Sequence, residues 1–300
     1  MFNPMNRRDF LTQASLLTAS SLISFESLAT AKIKHKMAYS AITWNGNDLI
    51  AIKDIAALGF KGIQLRANTY APFKDKPQDL KDLLDQNGLT LAMFSSGNVG
   101  IQDDISKDLE THLNHARFVK ALGGNSLQIT NVSRPKDRNP TTEELKKYAK
   151  NMSEVAKQVL GETGVQPAWH NHMHQLGETP EEVEIVATSM DTKYIKLELD
   201  VAHYTQGGGN AAEAVIKYKD ILHATHIKDT KPVESKSGYQ FVELGQGRVD
   251  FPAIFKALEK IKFKGWNVIE LDSVPVKGRT ALESGQTSKK YLESINIKFS

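Results

Sequence analysis

Short apolar runs alternate with longer amphipathic stretches eight times between residues 37 and 292. The apolar runs cover 37–42, 62–65, 89–94, 126–129, 165–169, 194–199, 221–227 and 266–271, and read as strands. The stretches at 49–58, 80–86, 107–122, 143–160, 180–189, 211–218, 252–261 and 281–292 read as helices. In 143–160, Leu145, Tyr148, Ala149, Met152, Val155, Ala156, Val159 and Leu160 recur at three- and four-residue steps, one face of a helix. Thr141 or Thr142 can cap its start, with Glu144 three residues after Thr141. Gly59-Phe60-Lys61-Gly62 and Phe263-Lys264-Gly265 each lie between a helix end and the next strand, where glycine lets the chain turn. Strands alternating with helices form parallel βαβ units. Eight such units in about 270 residues predict an α/β fold, a single-domain (β/α)8 TIM barrel over 32–300. An open doubly wound sheet would carry G-x-G-x-x-G after its first strand, and none is present. The stretch 229–247 exceeds an ordinary strand–helix loop and reads as an insertion or lid over the site.

Composition removes several functions. Lysine plus arginine number 38 against 35 aspartate plus glutamate, so there is no basic excess of the kind a nucleic-acid binder carries. No cysteine is present, which excludes thiolate nucleophiles, thiolate–metal sites and disulfides. The first residues read differently from the rest. Asn6-Arg7-Arg8-Asp9-Phe10-Leu11 precedes a mild apolar run and an Ala29-Thr30-Ala31 exit, the layout of a cleavable export signal. The paired arginines resemble a twin-arginine signal, which predicts a periplasmic or exported protein cleaved after Ala31. The apolar run is too short and too rich in Ser and Thr for stable membrane insertion.

In such a barrel the chemistry gathers where the strands end. The fifth strand ends in Trp169-His170-Asn171-His172-Met173-His174 and the sixth in Glu198-Leu199-Asp200-Val201-Ala202-His203. The seventh ends in His226-Ile227-Lys228-Asp229 and the eighth in Glu270-Leu271-Asp272. Four successive strands thus deliver histidine or carboxylate to one rim. Burying so many polar groups together is costly unless something pairs with them. A divalent cation does so, because imidazole nitrogen and carboxylate oxygen are natural ligands of Zn²⁺, Mn²⁺ or Co²⁺. Alternation puts His170 and His172 on one strand face, and Glu198 with Asp200 on another. His223, three residues before His226, faces away and reads as structural; His174 reads as loop; His35, His112 and His115 receive no role.

At these positions the chain resembles the sugar phosphate isomerase/epimerase group of the xylose isomerase-like TIM-barrel superfamily. The resemblance rests on His170-Asn171-His172, Leu199-Asp200-Val201-Ala202-His203, His226-Ile227-Lys228-Asp229, Gly245-Gln246-Gly247-Arg248-Val249-Asp250-Phe251-Pro252 and Gly265-Trp266-Asn267-Val268-Ile269-Glu270, in that order. It implies one divalent metal ion (Mn, Zn, Co or Mg) held at the ends of strands five to eight. Asp200, His226 and Glu270 match three ligand positions. The fourth, often Glu in relatives, is His170 here, with His172 two residues on as the other candidate. The Gln64 position is also often Glu in relatives.

The chemistry so implied is proton abstraction next to the carbonyl of a ketose or keto-sugar. Glu270 is the first candidate base, with His170 or His172 able to act on the opposite face. Lys228, His203 and Gln64 are candidates for holding substrate, and Lys228 also for steadying the oxyanion. Arg248 reads as structural. Returning the proton gives an isomerase or epimerase; expelling a group beta to the carbonyl gives a 3-keto-glycoside lyase or a dehydratase. A sugar-binding barrel without turnover is the non-catalytic alternative, and the expected partner is a small-molecule sugar.

Overall fold

The strands observed are β1 (Lys36–Ser40), β2 (Gly62–Arg66), β3 (Thr90–Val99), β4 (Ser126–Asn131), β5 (Gln166–His170), β6 (Lys196–Asp200), β7 (Leu222–Ile227), β8 (Asp229–Pro232), β9 (Tyr239–Val242) and β10 (Trp266–Ile269). All but β8 and β9 pair in parallel, in chain order, and close when β10 meets β1. Closure is through Ala38 opposite Val268, while Tyr39 stands opposite Ile63 on the other side of β1. β8 and β9 form a separate antiparallel hairpin. This is a computed structural model, and it describes residues 34–235 and 237–299. The expected export segment at 1–31 lies outside the described residues.

Every strand and helix expected from periodicity is found, with ends moved by a few residues. The long helix Thr142–Thr163 starts at a capping box: Glu144 N–H donates to Thr141 Oγ1, and Thr141 N–H donates back to the Glu144 carboxylate. It ends at Gly164, whose φ of 74° few other residues adopt at low cost. Two differences matter for the site. β3 runs to Val99 rather than stopping near Phe94, because its polar Ser95-Ser96-Gly97-Asn98 end carries no apolar signal and shifts register against β4. β6 stops at Asp200 rather than continuing to His203. The Asp200 carboxylate accepts the His203 N–H at 2.7 Å and caps a short helix, Val201–Gln206, so His203 reaches the rim from a helix.

The main core lies between the strands and the surrounding helices, where Ile63, Phe94, Leu127, Trp169, Leu197 and Ile227 are fully buried. Each such side chain contributes about 1.5–3 kcal/mol relative to exposure. The barrel interior is layered differently. Its early positions are small and apolar, with Ala38, Ala92 and Val268 in one cluster and Met93, Ala168 and Ala224 in another. Two residues further along β5 and β7, Ala168 and Ala224 give way to His170 and His226. The same upper interior holds buried Gln64, Gln128, Glu198 and Asp200. Polarity inside the barrel therefore rises toward the ends where strands hand over to loops.

Candidate active site

His226 stands at the centre of this polar layer, fully buried near the end of β7. Its Nε2 lies 2.9 Å from Gln64 Oε1 and 3.2 Å from Glu198 Oε1. Gln64 Oε1 can only accept, so a ring proton sits on Nε2 and Nδ1 is the nitrogen turned to the site, able to ligate once it gives up its own proton. Gln64 is turned this way because its own amide N–H donates to Gln128 Oε1 at 3.1 Å. The Nδ1 face looks toward Glu270 Oε1 at 3.3 Å and Asp200 Oδ2 at 3.6 Å. His170 packs on the same ring, 4.5 Å between centroids.

His170, Asp200 and His226 each offer an atom such that all three lie within 4.8 Å of one another. His170 Nδ1, Asp200 Oδ2 and His226 Nδ1 are also buried and without hydrogen-bond partners. Such atoms are rare in folded proteins and call for an explanation. A second triplet at the same spacing joins His170, His172 and His203. Its chemistry is less suitable. Met173 N–H donates to His203 Nδ1 at 3.1 Å and the Lys228 ammonium lies 3.3 Å from its Nε2, so neither nitrogen of His203 offers a free lone pair. His172 Nδ1 donates to Met173 O at 2.6 Å, so its Nε2 is the free lone pair. Two imidazoles and a carboxylate, with Glu270 beside them, are a donor set that suits a divalent ion of the zinc or manganese kind.

Charge points the same way. Glu198, Asp200, Glu270 and Asp272 bring four carboxyl groups to this rim, and Lys228 brings one ammonium. Burial disfavours that ammonium, yet Asp272 and Glu270 hold Lys228 above the usual lysine range. Burial and the nearby cations push His170, His172 and His203 down, so all three are neutral imidazoles. Against the same burial, Glu198 and Glu270 hold His226 well above its usual range. Burial opposes the Glu270 charge, but His226 and Lys228 keep its carboxyl well below the usual carboxylate range. The bare site thus recruits a protonated imidazole to offset excess negative charge, the deficit a bound dication would fill.

Lys228 is wholly buried, with Nζ 2.6 Å from Asp272 Oδ1 and 3.3 Å from Glu270 Oε1. The β8–β9 hairpin, in the stretch expected to form an insertion, sets Phe241 over that ammonium at 4.0 Å and against His203 at 5.0 Å. Asp229 does not pair with Lys228. It accepts N–H groups from Thr230, Gly245, Gly247 and Val249 and ties down the foot of the hairpin. An open cavity of about 480 Å³ above the cluster is lined by Arg66, Asn68, Asn98, Thr130, Gln175 and Asp272, together with His170, His172 and Glu270.

The structure therefore gathers His170, His172, Asp200, His203, His226, Lys228 and Glu270 at one rim, with Gln64 beneath it, hydrogen-bonded to His226 and Gln128. His223 sits elsewhere, bonded to Ser126, and Arg248 bonds Gln206. Sequence reasoning placed Glu198 on the Asp200 face without giving it a part, although its two-residue spacing was the available signal. It missed Asp272 as the partner of Lys228. Gln128 and Phe241 carried no local signal at all.

Comparison with known proteins agrees with the fold. Inosose dehydratase of Klebsiella pneumoniae is 25% identical over 296 residues, covering 86% of this chain and 96% of its own length. The rhizopine catabolism protein MocC of Rhizobium meliloti is 25% identical over 274 residues, covering 80% and 82%. Among solved structures, the IolI protein with a bound zinc atom superposes with a TM-score of 0.71 at 21% identity, covering 88% of this chain and 99% of that one. L-ribulose 3-epimerase does so with a TM-score of 0.71 at 16% identity, covering 87% and 94%. These two likenesses show a shared fold. The family described as xylose isomerase-like TIM barrel matches residues 52–295, and the chain belongs to it.

Proposed function

We propose that this protein is a divalent-metal-dependent lyase of the dehydratase type, acting on a keto-sugar or keto-cyclitol. The observation that carries the reading is the convergence of unpartnered His170, Asp200 and His226 atoms beside the Glu270–Lys228 pair. His170, Asp200, His226 and Glu270 would hold the cation. When bound, it supplies Lewis acidity at the substrate carbonyl, which makes the neighbouring C–H removable.

The remaining work falls to side chains. Glu270 takes the proton from the carbon next to the carbonyl. The C–H electron pair becomes the new C=C bond, and the C–O bond at the next carbon breaks. Lys228, kept as an ammonium by Asp272, gives its proton to the departing hydroxyl, which leaves as water. Glu270 and Lys228 lie 3.3 Å apart, so the carboxylic acid can return the proton to the amine and reset both groups. His203, its Nε2 3.3 Å from Lys228 Nζ, helps to aim that ammonium. The near full-length likeness to inosose dehydratases supports elimination over simple proton return.

Epimerisation is the second reading, favoured by the free Nε2 lone pair of His172 as a base outside the Glu270–Lys228 pair. Incubation with inososes, 3-keto-glycosides and ketoses in deuterated buffer, with and without chelator, decides between them. Elimination gives an unsaturated or dehydrated product, and epimerisation gives a deuterated stereoisomer. Glu270→Gln is expected to lower either by at least about 10²-fold. Bound sugar with no exchange and no product would leave a binding protein instead.

A further inference from the structure

Glu198 is the buried group that this chemistry leaves unused. It lies inside the barrel on β6 with no exposed surface. Neither carboxylate oxygen makes a well-formed hydrogen bond. A buried carboxyl in that state is costly, so stability does not explain it. Its Oε1 lies 3.2 Å from His226 Nε2, on the edge of the ring opposite the site. The Nε2 proton is already accepted by Gln64 Oε1 at 2.9 Å. Gln64, held in turn by Gln128, is enough to fix the ring's tautomer. Glu198 sets a second carboxyl behind the ring, whose acidity burial weakens and His226 in part restores.

We propose that Glu198 is a positioning residue for the metal centre, which raises the donor strength of His226 Nδ1 by placing a carboxylate behind Nε2. A carboxylate at the far nitrogen of a ligating histidine makes that histidine a stronger base and typically changes metal affinity 10–100-fold. Gln64 and Glu198 act on the same ring in different ways, the amide fixing its direction and the carboxylate its charge. The inference rests on the metal-centre reading above and reaches one shell beyond it.

The test is titration of metal-free wild type and Glu198→Gln with Co²⁺, followed by visible absorption and by calorimetry. Glutamine keeps the shape and removes the charge. The expected result is cooperative unfolding of the metal-free variant together with Co²⁺ binding weakened 10–100-fold. A variant that binds Co²⁺ as wild type does overturns the proposal, as does one whose only change is a lower melting temperature without metal. Glu198→Met fills a similar volume and is the second arm should the glutamine variant fail to fold; wild-type affinity there overturns the proposal equally. Wild-type protein that takes up no divalent cation would instead overturn the functional reading on which this rests.

Discussion

At the scale of single residues, the site is decided by which atom of each ring holds a proton. Gln64 holds a proton on His226 Nε2 and turns Nδ1 to the site, the Met173 carbonyl leaves His172 a lone pair at Nε2, and the Met173 amide and the Lys228 ammonium face both nitrogens of His203. Three histidines that look alike as letters thus become a ligand candidate, a base candidate and a support for Lys228. Lys228 is equally specific. Its ammonium is clamped by Asp272 and Glu270 beneath Phe241, so it can deliver a proton but is not free to wander. Replacing it by methionine keeps the stem and removes the acid. Turnover is expected to fall about 10²–10⁴-fold. Glu270 loses a cation that holds its pKa down, so the acid limb of the pH–rate profile should move to higher pH. A profile with unchanged limbs would separate Lys228 from Glu270.

At the scale of elements, strand ends and helix starts are welded together by carboxylates. Asp200 closes β6 and opens Val201–Gln206, which swings His203 over the rim. Asp229 gathers four backbone N–H groups and shapes the foot of the β8–β9 hairpin. Caps away from the site affect stability alone. Thr141→Ala removes one half of the capping box on Thr142–Thr163 and should cost about 1 kcal/mol in urea unfolding. Deuterium exchange by the same variant should match wild type, because that helix packs outside the barrel. The long helix and its cap were readable from spacing alone. The hairpin was readable only as extra length, since nothing in 229–247 announces that Phe241 will cover a lysine.

For the molecule as a whole, acid is the predicted weakness. His112 is buried between the helix Ser106–Ala121 and β3, bonded to Ser96 and to the Asn98 carbonyl. Burial lowers its pKa from the usual 6.5 to about 4. The unfolded chain therefore binds a proton that the folded chain refuses, and stability falls as pH drops from about 6.5 to about 4. His112 alone accounts for about 3 kcal/mol across that window, and burial shifts His115 and His223 in the same direction. Urea midpoints at pH 7 and pH 4.5, taken in chelator so that metal uptake plays no part, should show the loss. His112→Gln should shrink the difference between the two midpoints; an equal difference would place the acid sensitivity elsewhere.

The strand–helix rhythm, the barrel, and the rim where the chemistry gathers follow from the order of residues, because periodicity is a property of near neighbours along the chain. So does the meeting of His170, His172, Asp200, His226, Lys228 and Glu270, since strand ends in a closed parallel barrel face one opening, whereas Gln128 and Phe241 join them without a local signal. Their individual parts do not follow. His170 rather than His172 lies with Asp200 and His226, Lys228 pairs with Asp272 rather than Asp229, and His226 is oriented by Gln64 from 162 positions away. Those outcomes depend on which side chains the closed sheet brings within hydrogen-bonding reach, and a proton's place on an imidazole is set by such contacts and by no local pattern.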